Sequence, residues 1–292
     1  MTTRRRLVRV PASSANLGPG YDVMAAAVSL HLELEVEEAG EFSFDPGGAD
    51  LPTGRENLLV RAFESLRPAD GIAFALRSEI PLARGLGSSA AAIVAGLFAA
   101  DHLFELGLSR EEMLVRASEL EGHPDNVAAS IYGGFVVCGT EAGQPVAARF
   151  DPPKELEAVV AIPAEEVSTK LAREAIPEQI PRADAVANLA AASSLILGLQ
   201  TADLDLVRRG LRDSIHQPRR RDLYPRSMEL VDSAADLGAL GATISGAGPA
   251  VLVWTTWQDS GKVAEELERR CDGWAEVQRL PFSPHGADVP EL

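Results

Sequence analysis

Pro81-Leu-Ala-Arg-Gly-Leu-Gly-Ser-Ser-Ala-Ala91 stands between two segments of opposite periodicity. Before it, Ile72, Phe74, Leu76 and Ile80 alternate with Arg77 and Glu79 and predict a strand; after it, the Ala-rich stretch Ala90–Leu106 predicts a helix. Glycines at 85 and 87 let the backbone turn with its amides inward, and Ser88 and Ser89 add hydroxyl donors. The helix that begins here contributes free N–H groups and the positive end of its dipole. Together these make an anion site without a basic side chain. The stretch is not a Walker A loop, because no Lys follows the glycines, and Ala90 stands where Gly-x-Gly-x-x-Gly needs its third glycine. Taken alone, it reads equally well as an ordinary Gly-Ser turn before a buried helix.

Upstream, Leu7–Val10 reads as a short strand entering a loop of small turn residues, Pro11–Gly20. Val28, Leu30, Leu32, Leu34 and Val36 then alternate with polar residues, His31 among them, as one strand. Downstream, Ser109-Arg-Glu-Glu112 is a capping box opening a helix through Leu120. Strands are expected at Gly133–Cys138 and Leu156–Ile162. After residue 163 the texture changes, with helices near 183–200, 203–213 and 226–237. Strands at Ala242–Ile244 and Ala250–Trp254 flank Ser245-Gly-Ala-Gly-Pro249, and a helix near 260–271 and a strand near 274–280 follow. Strands and helices mix without a βαβ period, which predicts an α+β architecture in two lobes with a boundary near 150–165.

The 292 residues fit one large domain or two ordinary ones. Aromatics are 5%, so Ala, Leu and Val must carry the core. A net charge of −16 disfavours nucleic acid and anionic membranes as partners. It also obliges an anion site to draw positive potential from amides, helix ends, a metal or chosen arginines. Cys138 and Cys271 are too few for a disulfide framework or a zinc site and read as inert thiols of the cytoplasm. Arg4-Arg5-Arg6 precedes no apolar run of signal-peptide length, and the longest helix-like apolar run, Ala90–Ala100, is short for a membrane span.

Glu121-Gly-His-Pro-Asp-Asn126 gathers polar and turn residues after an apolar helix. Mg²⁺ takes oxygen ligands, one or two carboxylates with substrate phosphates, so Glu121 and the Ser88 hydroxyl are candidates. The alternative is a helix-ending loop with Asp125 or Asn126 as a cap.

Three of these stretches resemble the GHMP kinases, the family of galactokinase, homoserine kinase, mevalonate kinase and phosphomevalonate kinase. Pro81–Ala91 is similar to their ATP loop, Ser245–Pro249 to their C-terminal glycine motif, and Pro11-Ala-Ser-Ser-Ala-Asn-Leu-Gly-Pro-Gly-Tyr-Asp22 to their N-terminal substrate motif. Within the family the pattern is most similar to the homoserine kinases, through that first motif, Glu121–Asn126, Val167–Arg173 and Asp213–Arg220. Val23-Met24-Ala25, Arg219, Arg226 and Ala250 depart from the usual residues, and Arg219–Arg221 leaves open which arginine reaches the substrate.

The resemblance implies a two-lobed fold: a ribosomal S5 domain 2-like N-terminal lobe over 1–155 and a ferredoxin-like C-terminal lobe over 156–292. It implies ATP and Mg²⁺ as cofactors and L-homoserine as phosphoryl acceptor, with the product used in threonine biosynthesis. Pro81, Arg84, Gly85, Leu86, Gly87, Ser88, Ser89, Ala90, Ala91, Gly246 and Gly248 would form the nucleotide site, and Ser88 and Glu121 would hold the metal. Asn16, Asp22, His123, Asn126, Thr169, Arg173 and Arg220 would hold the acceptor, Asn16 and Asp22 nearest the chemistry. Asp22 would orient the hydroxyl rather than take its proton. His216 reads as a helix-end residue, and Arg219 and Arg221 as a solvated turn. A homodimer, without nucleic acid or membrane partners, is the family expectation. Another GHMP enzyme with a sugar or isoprenoid acceptor is the first alternative. A non-catalytic nucleotide-binding protein is the second, opposed by the presence of Ser88, Glu121 and Asp22.

Overall fold

The computed structural model of the chain describes residues 4–290. β1 (Arg5–Asn16) and β2 (Gly20–Glu38) form a long antiparallel hairpin running from the pair Arg5 and Glu37 to the pair Asn16 and Gly20. The alternation in β2 works as read: Leu30, Leu32, Leu34 and Val36 are buried, and His31, Glu33 and Glu35 are not. Pro11–Asn16, expected as loop, is instead strand. Ala12, Ser13, Ser14 and Ala15 are small enough to lie fully buried, and the serine hydroxyls find partners on distant segments, Ser13 on Asn126 and Ser14 on Ser245. Buried hydroxyls with partners cost little, but those partners are invisible locally.

β4 (Ile72–Ser78) and β5 (Phe135–Glu141) follow one another along the second edge of β2, and β3 (Ser43–Asp45) and β6 (Gln144–Phe150) extend the sheet. α1 (Leu58–Glu64), α2 (Ser88–Phe104), α3 (Arg110–Glu121) and α4 (Asp125–Tyr132) pack with it. The Ser109 capping box forms as read, with Glu112 N–H on Ser109 Oγ at 3.1 Å and Ser109 N–H on Glu112 Oε2 at 2.8 Å. β3, β6 and α1 were not legible in the sequence: β3 is three residues long, and α1 begins at an Asn57 cap within a polar stretch.

The second sheet comprises β7 (Leu156–Pro163), β8 (Gly241–Ile244), β9 (Val251–Thr256) and β10 (Ala275–Leu280). Its order, β10-β7-β9-β8, is antiparallel throughout. Counted along the chain this is 4-1-3-2, the ferredoxin-like arrangement, with α8 (Pro225–Asp232) and α9 (Ser260–Cys271) against it. α5 (Thr169–Glu174), α6 (Arg182–Thr201) and α7 (Leu204–Gly210) lie between β7 and β8 in sequence. After β10 the chain returns to the first sheet, where Ser29 N–H donates to Pro281 O and Ser283 N–H to Ala27 O. Phe282 seats itself there between Phe135, 4.8 Å between ring centres, and Trp254 of the second sheet, 5.3 Å, so one aromatic cluster joins the two sheets.

The longest apolar helix is α6, not the Ala90–Ala100 run. Its 20 residues pass for a membrane span by length and composition, with 28% of the apolar window buried. Cys138 and Cys271 are free and buried.

Candidate active site

Gly87 caps α2 in the left-handed region, with φ 70°. The first helical hydrogen bond runs from Ala91 N–H to Gly87 O, so the amides of Ser88, Ser89 and Ala90 stand ahead of the ladder. A β-carbon on Gly87 would lie 2.0 Å from Ser13 Oγ, and one on Gly85 would lie 2.2 Å from Ser245 O. Both glycines are therefore required by close approach as well as by conformation. That approach is made by hydrogen bonds between distant motifs. Ser245 Oγ lies 2.6 Å from Gly85 O, Gly246 N–H donates to Ala15 O at 3.0 Å, and Ser13 N–H donates to Leu86 O at 3.2 Å. The N-terminal motif, the glycine–serine loop and the C-terminal glycine motif are thus one clasp around a cavity of about 490 Å³.

Gly85, Gly87, Ser88, Ser89, Gly246 and Gly248 line this cavity, joined by Leu82, Ala83 and Ala247, which sequence reasoning did not single out. The side chains of the other residues read into the nucleotide site do not line the cavity. Pro81 is not among the lining residues. Leu86, Ala90 and Ala91 turn into the core. Arg84 donates to the carbonyls of Leu82 and Pro163 and pairs with Glu166 at 3.1 Å, so it joins the loop to the end of β7.

Glu121, at the end of α3, accepts a 2.6 Å hydrogen bond from Ser89 Oγ. It is Ser89 rather than Ser88 whose hydroxyl meets this carboxylate, although both serines line the cavity. Burial pushes the Glu121 carboxyl pKa up, opposed by the hydrogen bond from Ser89. His123 Nδ1 lies 2.8 Å from Asp125 Oδ1, and that bond raises the imidazole pKa above its ordinary value. Asn126, in the first turn of α4, accepts from Ser13 Oγ at 2.8 Å.

At the opposite end, Asn16 and Asp22 both adopt the left-handed region, φ 71° and 57°, on either side of the β1–β2 turn. Asn16 Oδ1 accepts from Asp22 N–H at 3.1 Å, and Nδ2 donates to Gly246 O at 2.7 Å, so its amide ties the turn to the glycine motif. Arg173, on α5, forks onto the Asp22 carboxylate at 2.7 and 2.8 Å and donates to Tyr21 Oη at 3.2 Å. Thr169 lines the cavity one turn earlier.

The three successive arginines separate because they sit in a 3₁₀ turn, Pro218–Leu223, in which neighbours point about 120° apart. Arg220 reaches the cavity and is 2% exposed, donating to Ala172 O at 2.8 Å, Gly246 O at 3.0 Å and His216 Nδ1 at 3.1 Å. Arg221 pairs with Asp232 on the surface, as read. Arg219 does not belong to a solvated turn: it is partly buried, pairing with Asp184 at 2.8 Å and donating to Ile215 O. His216 is likewise no helix-end residue. It is fully buried, donates from Nε2 to Gly18 O at 2.8 Å and accepts from Arg220 through Nδ1. Burial lowers its pKa to about 4, which keeps the ring neutral. The ring of Tyr21 lies 5.7 and 5.4 Å from the guanidinium carbons of Arg173 and Arg220.

Comparison with known proteins finds the GHMP kinases N terminal domain at residues 57–134 and the GHMP kinases C terminal domain at 195–273. The chain is 42% identical over 245 residues to homoserine kinase of Thermus thermophilus, covering 82% of this chain and 83% of that one. It is 39% identical over 256 residues to homoserine kinase of Moorella thermoacetica, covering 85% and 86%. The crystal structure of homoserine kinase from Cytophaga hutchinsonii matches with TM-score 0.89 at 30% identity over 98% of both chains. The chain belongs to the homoserine kinase family of GHMP kinases.

In this GHMP kinase the two family domains contain the phosphate loop, Glu121–Asn126, Arg220 and the C-terminal glycines. Asn16, Asp22, Thr169 and Arg173 fall outside both. Tyr21 and His216 are the contributors that sequence reasoning missed. Tyr21 stood within the quoted motif, and His216 lies one helical turn before Arg220, but nothing local marked either as a partner of an arginine.

Proposed function

We propose that this chain is an ATP:L-homoserine O-phosphotransferase, moving the γ-phosphoryl group of Mg·ATP to the side-chain hydroxyl of L-homoserine in the cytoplasm and supplying O-phospho-L-homoserine for threonine formation. The observation that carries the acceptor assignment is the Asp22–Arg173 pair. It sets a carboxylate and a guanidinium side by side at the cavity wall, the charge set complementary to the ammonium and carboxylate of an α-amino acid. Mevalonate carries a carboxylate but no ammonium and would leave Asp22 unanswered; galactose carries neither.

Homoserine would enter by exchanging its head group into this pair, with Arg220 as second guanidinium and Asn16, His123, Asn126 and Thr169 around it. The amides of Ser88, Ser89 and Ala90 would cradle the phosphates. Ser88 and Glu121 would hold Mg²⁺, whose charge offsets that of the phosphate oxygens; a carboxylate with serine hydroxyls beside it at the cavity wall is the oxygen donor set a hard cation takes. With its carboxylate answering the ammonium of the acceptor, Asp22 would hold and orient homoserine rather than take the hydroxyl proton. Rate then comes from positioning and charge neutralisation, as a loose phosphoryl-transfer transition state requires.

The test is ADP release from Mg·ATP with L-homoserine, mevalonate, galactose or L-threonine as acceptor. Turnover with homoserine alone is expected. Turnover with another acceptor instead would remove the assignment of the Asp22–Arg173 pair while leaving the phosphate loop intact.

A further inference from the structure

A phenol can accept hydrogen bonds and has one proton of its own to donate. Tyr21 uses only the first capacity. Its Oη accepts from Arg173 Nη1 at 3.2 Å, and no group among the described residues, Asp22 included, accepts its proton. Its neighbours are committed more fully: Arg220 donates to three acceptors, Asn16 both donates and accepts, and Asp22 receives both arms of Arg173. The Tyr21 proton stays in place, because burial and then the Asp22 carboxylate push the phenol pKa up against the two arginines. The ring is fixed by its surroundings. It lies 5.5 Å from the His216 ring and packs against the guanidinium groups of Arg173 and Arg220, and Tyr21 lines the cavity beside Asp22.

On the reading of the acceptor as L-homoserine, we propose that Tyr21 determines specificity: its hydroxyl donates to the acceptor's carboxylate and, with Arg173, selects the free amino acid over its uncharged derivatives. The acceptor's carboxylate oxygens take the places on Arg173 Nη1 and Nη2 that the Asp22 oxygens hold at 2.8 and 2.7 Å. Nη1 keeps its second proton on Tyr21 Oη, so the phenol stands beside the oxygen that arrives on Nη1. The unused proton then closes a ring, with Nη1 and Tyr21 both donating to that oxygen and Nη1 donating to Tyr21. A bond of this kind is charge-assisted and stronger than one to a neutral group. A carboxamide offers at the same place a neutral oxygen or a second donor, and the phenol gains little from either.

Tyr21→Phe tests this, since it keeps the ring and its packing and removes one oxygen; circular dichroism should be unchanged. Steady-state kinetics should show the KM for L-homoserine raised about 10-fold, with kcat and the KM for ATP within about two-fold. Two competitive inhibitors separate the carboxylate bond from a general disturbance of the site. L-2-aminobutyrate, which is homoserine without its hydroxyl, should show an inhibition constant about 10-fold higher in the variant. The constant for its carboxamide should move by less than about two-fold. Equal rises for the two inhibitors would make Tyr21 a packing residue and overturn the proposal. So would a homoserine KM that Tyr21→Phe leaves unchanged while the unaltered chain phosphorylates homoserine. An unaltered chain that turns over no homoserine is a separate result: it removes the acceptor, and this role of Tyr21 with it.

Discussion

At one end of the cavity the ligand would meet main chain: amides at the start of α2 and two glycines, 85 and 87, whose α-carbons face neighbours too close for any side chain. At the other end it would meet side chains from three separated segments, Asp22, Arg173 and Arg220, each held by a hydrogen bond to another part of the protein. The first kind of site is steric and local, tolerant of side-chain variation but not of a β-carbon. The second is electrostatic and distributed, so that losing one guanidinium leaves an opposite charge unanswered. The clasp between residues 13–16, 85–87 and 245–248 holds both ends at one spacing.

The largest expected effect breaks the steric end. Gly87→Ala places a β-carbon on Ser13 Oγ at a backbone conformation that favours glycine, and should lower kcat/KM for ATP by about 1000-fold, on the order of 4 kcal/mol. Steady-state kinetics with both substrates check this, and near-normal ATP use would show that the amides matter less than stated. Next comes the electrostatic end. Arg173→Met should cost about 3 kcal/mol in kcat/KM for homoserine while leaving the KM for ATP within about two-fold, because it strips a half-buried carboxylate of its partner. Equal losses for both substrates would abolish the division between the two ends.

A smaller effect is expected in stability against pH. Asp125 raises the pKa of His123 above its ordinary 6.5, so the folded state binds the proton more tightly than the unfolded one. The pair's contribution is then complete below the ordinary value and disappears as pH rises through the raised one. Urea unfolding should show the gap between the native chain and His123→Gln closing from pH 6 to pH 9; a gap that widens would contradict this. Smallest of all is Arg221→Ala. It removes an exposed ion pair with Asp232 and should change either substrate's kcat/KM by less than about two-fold. Comparison with Arg220→Ala sharpens the point, since adjacent residues in one turn should differ by about two orders of magnitude.

Much of the architecture was legible. The alternation of β2, the capping box of α3 and the strand–turn–strand around Ser245–Pro249 all arise from local pattern, and the helices near 183–200 and 260–271 lie within a residue or two of those observed. β1 was cut short at Pro11 because a run of Ser, Ala and Asn suits a loop unless distant groups satisfy its hydroxyls. α5 was missed because its six residues are too few for a periodic signal. The apolar character of α6 was missed as well, because its polar Asn188, Ser193 and Ser194 break the run.

The phosphate loop could be read from eleven contiguous residues because backbone conformation is set by neighbours in the chain: where glycines stand, how the helix must begin, and which amides it leaves free. The acceptor end could not be read that way. Among Arg219, Arg220 and Arg221 the chemistry is the same, and only a 3₁₀ turn packed beneath α5 aims one of them at the cavity. His216 became a buried neutral acceptor for that arginine only because Gly18 takes its other nitrogen. The sequence by itself determined which groups are present and how the chain turns at the phosphates. Only the tertiary structure decided which side chains converge, because the direction of a side chain depends on what packs against it from segments far along the chain.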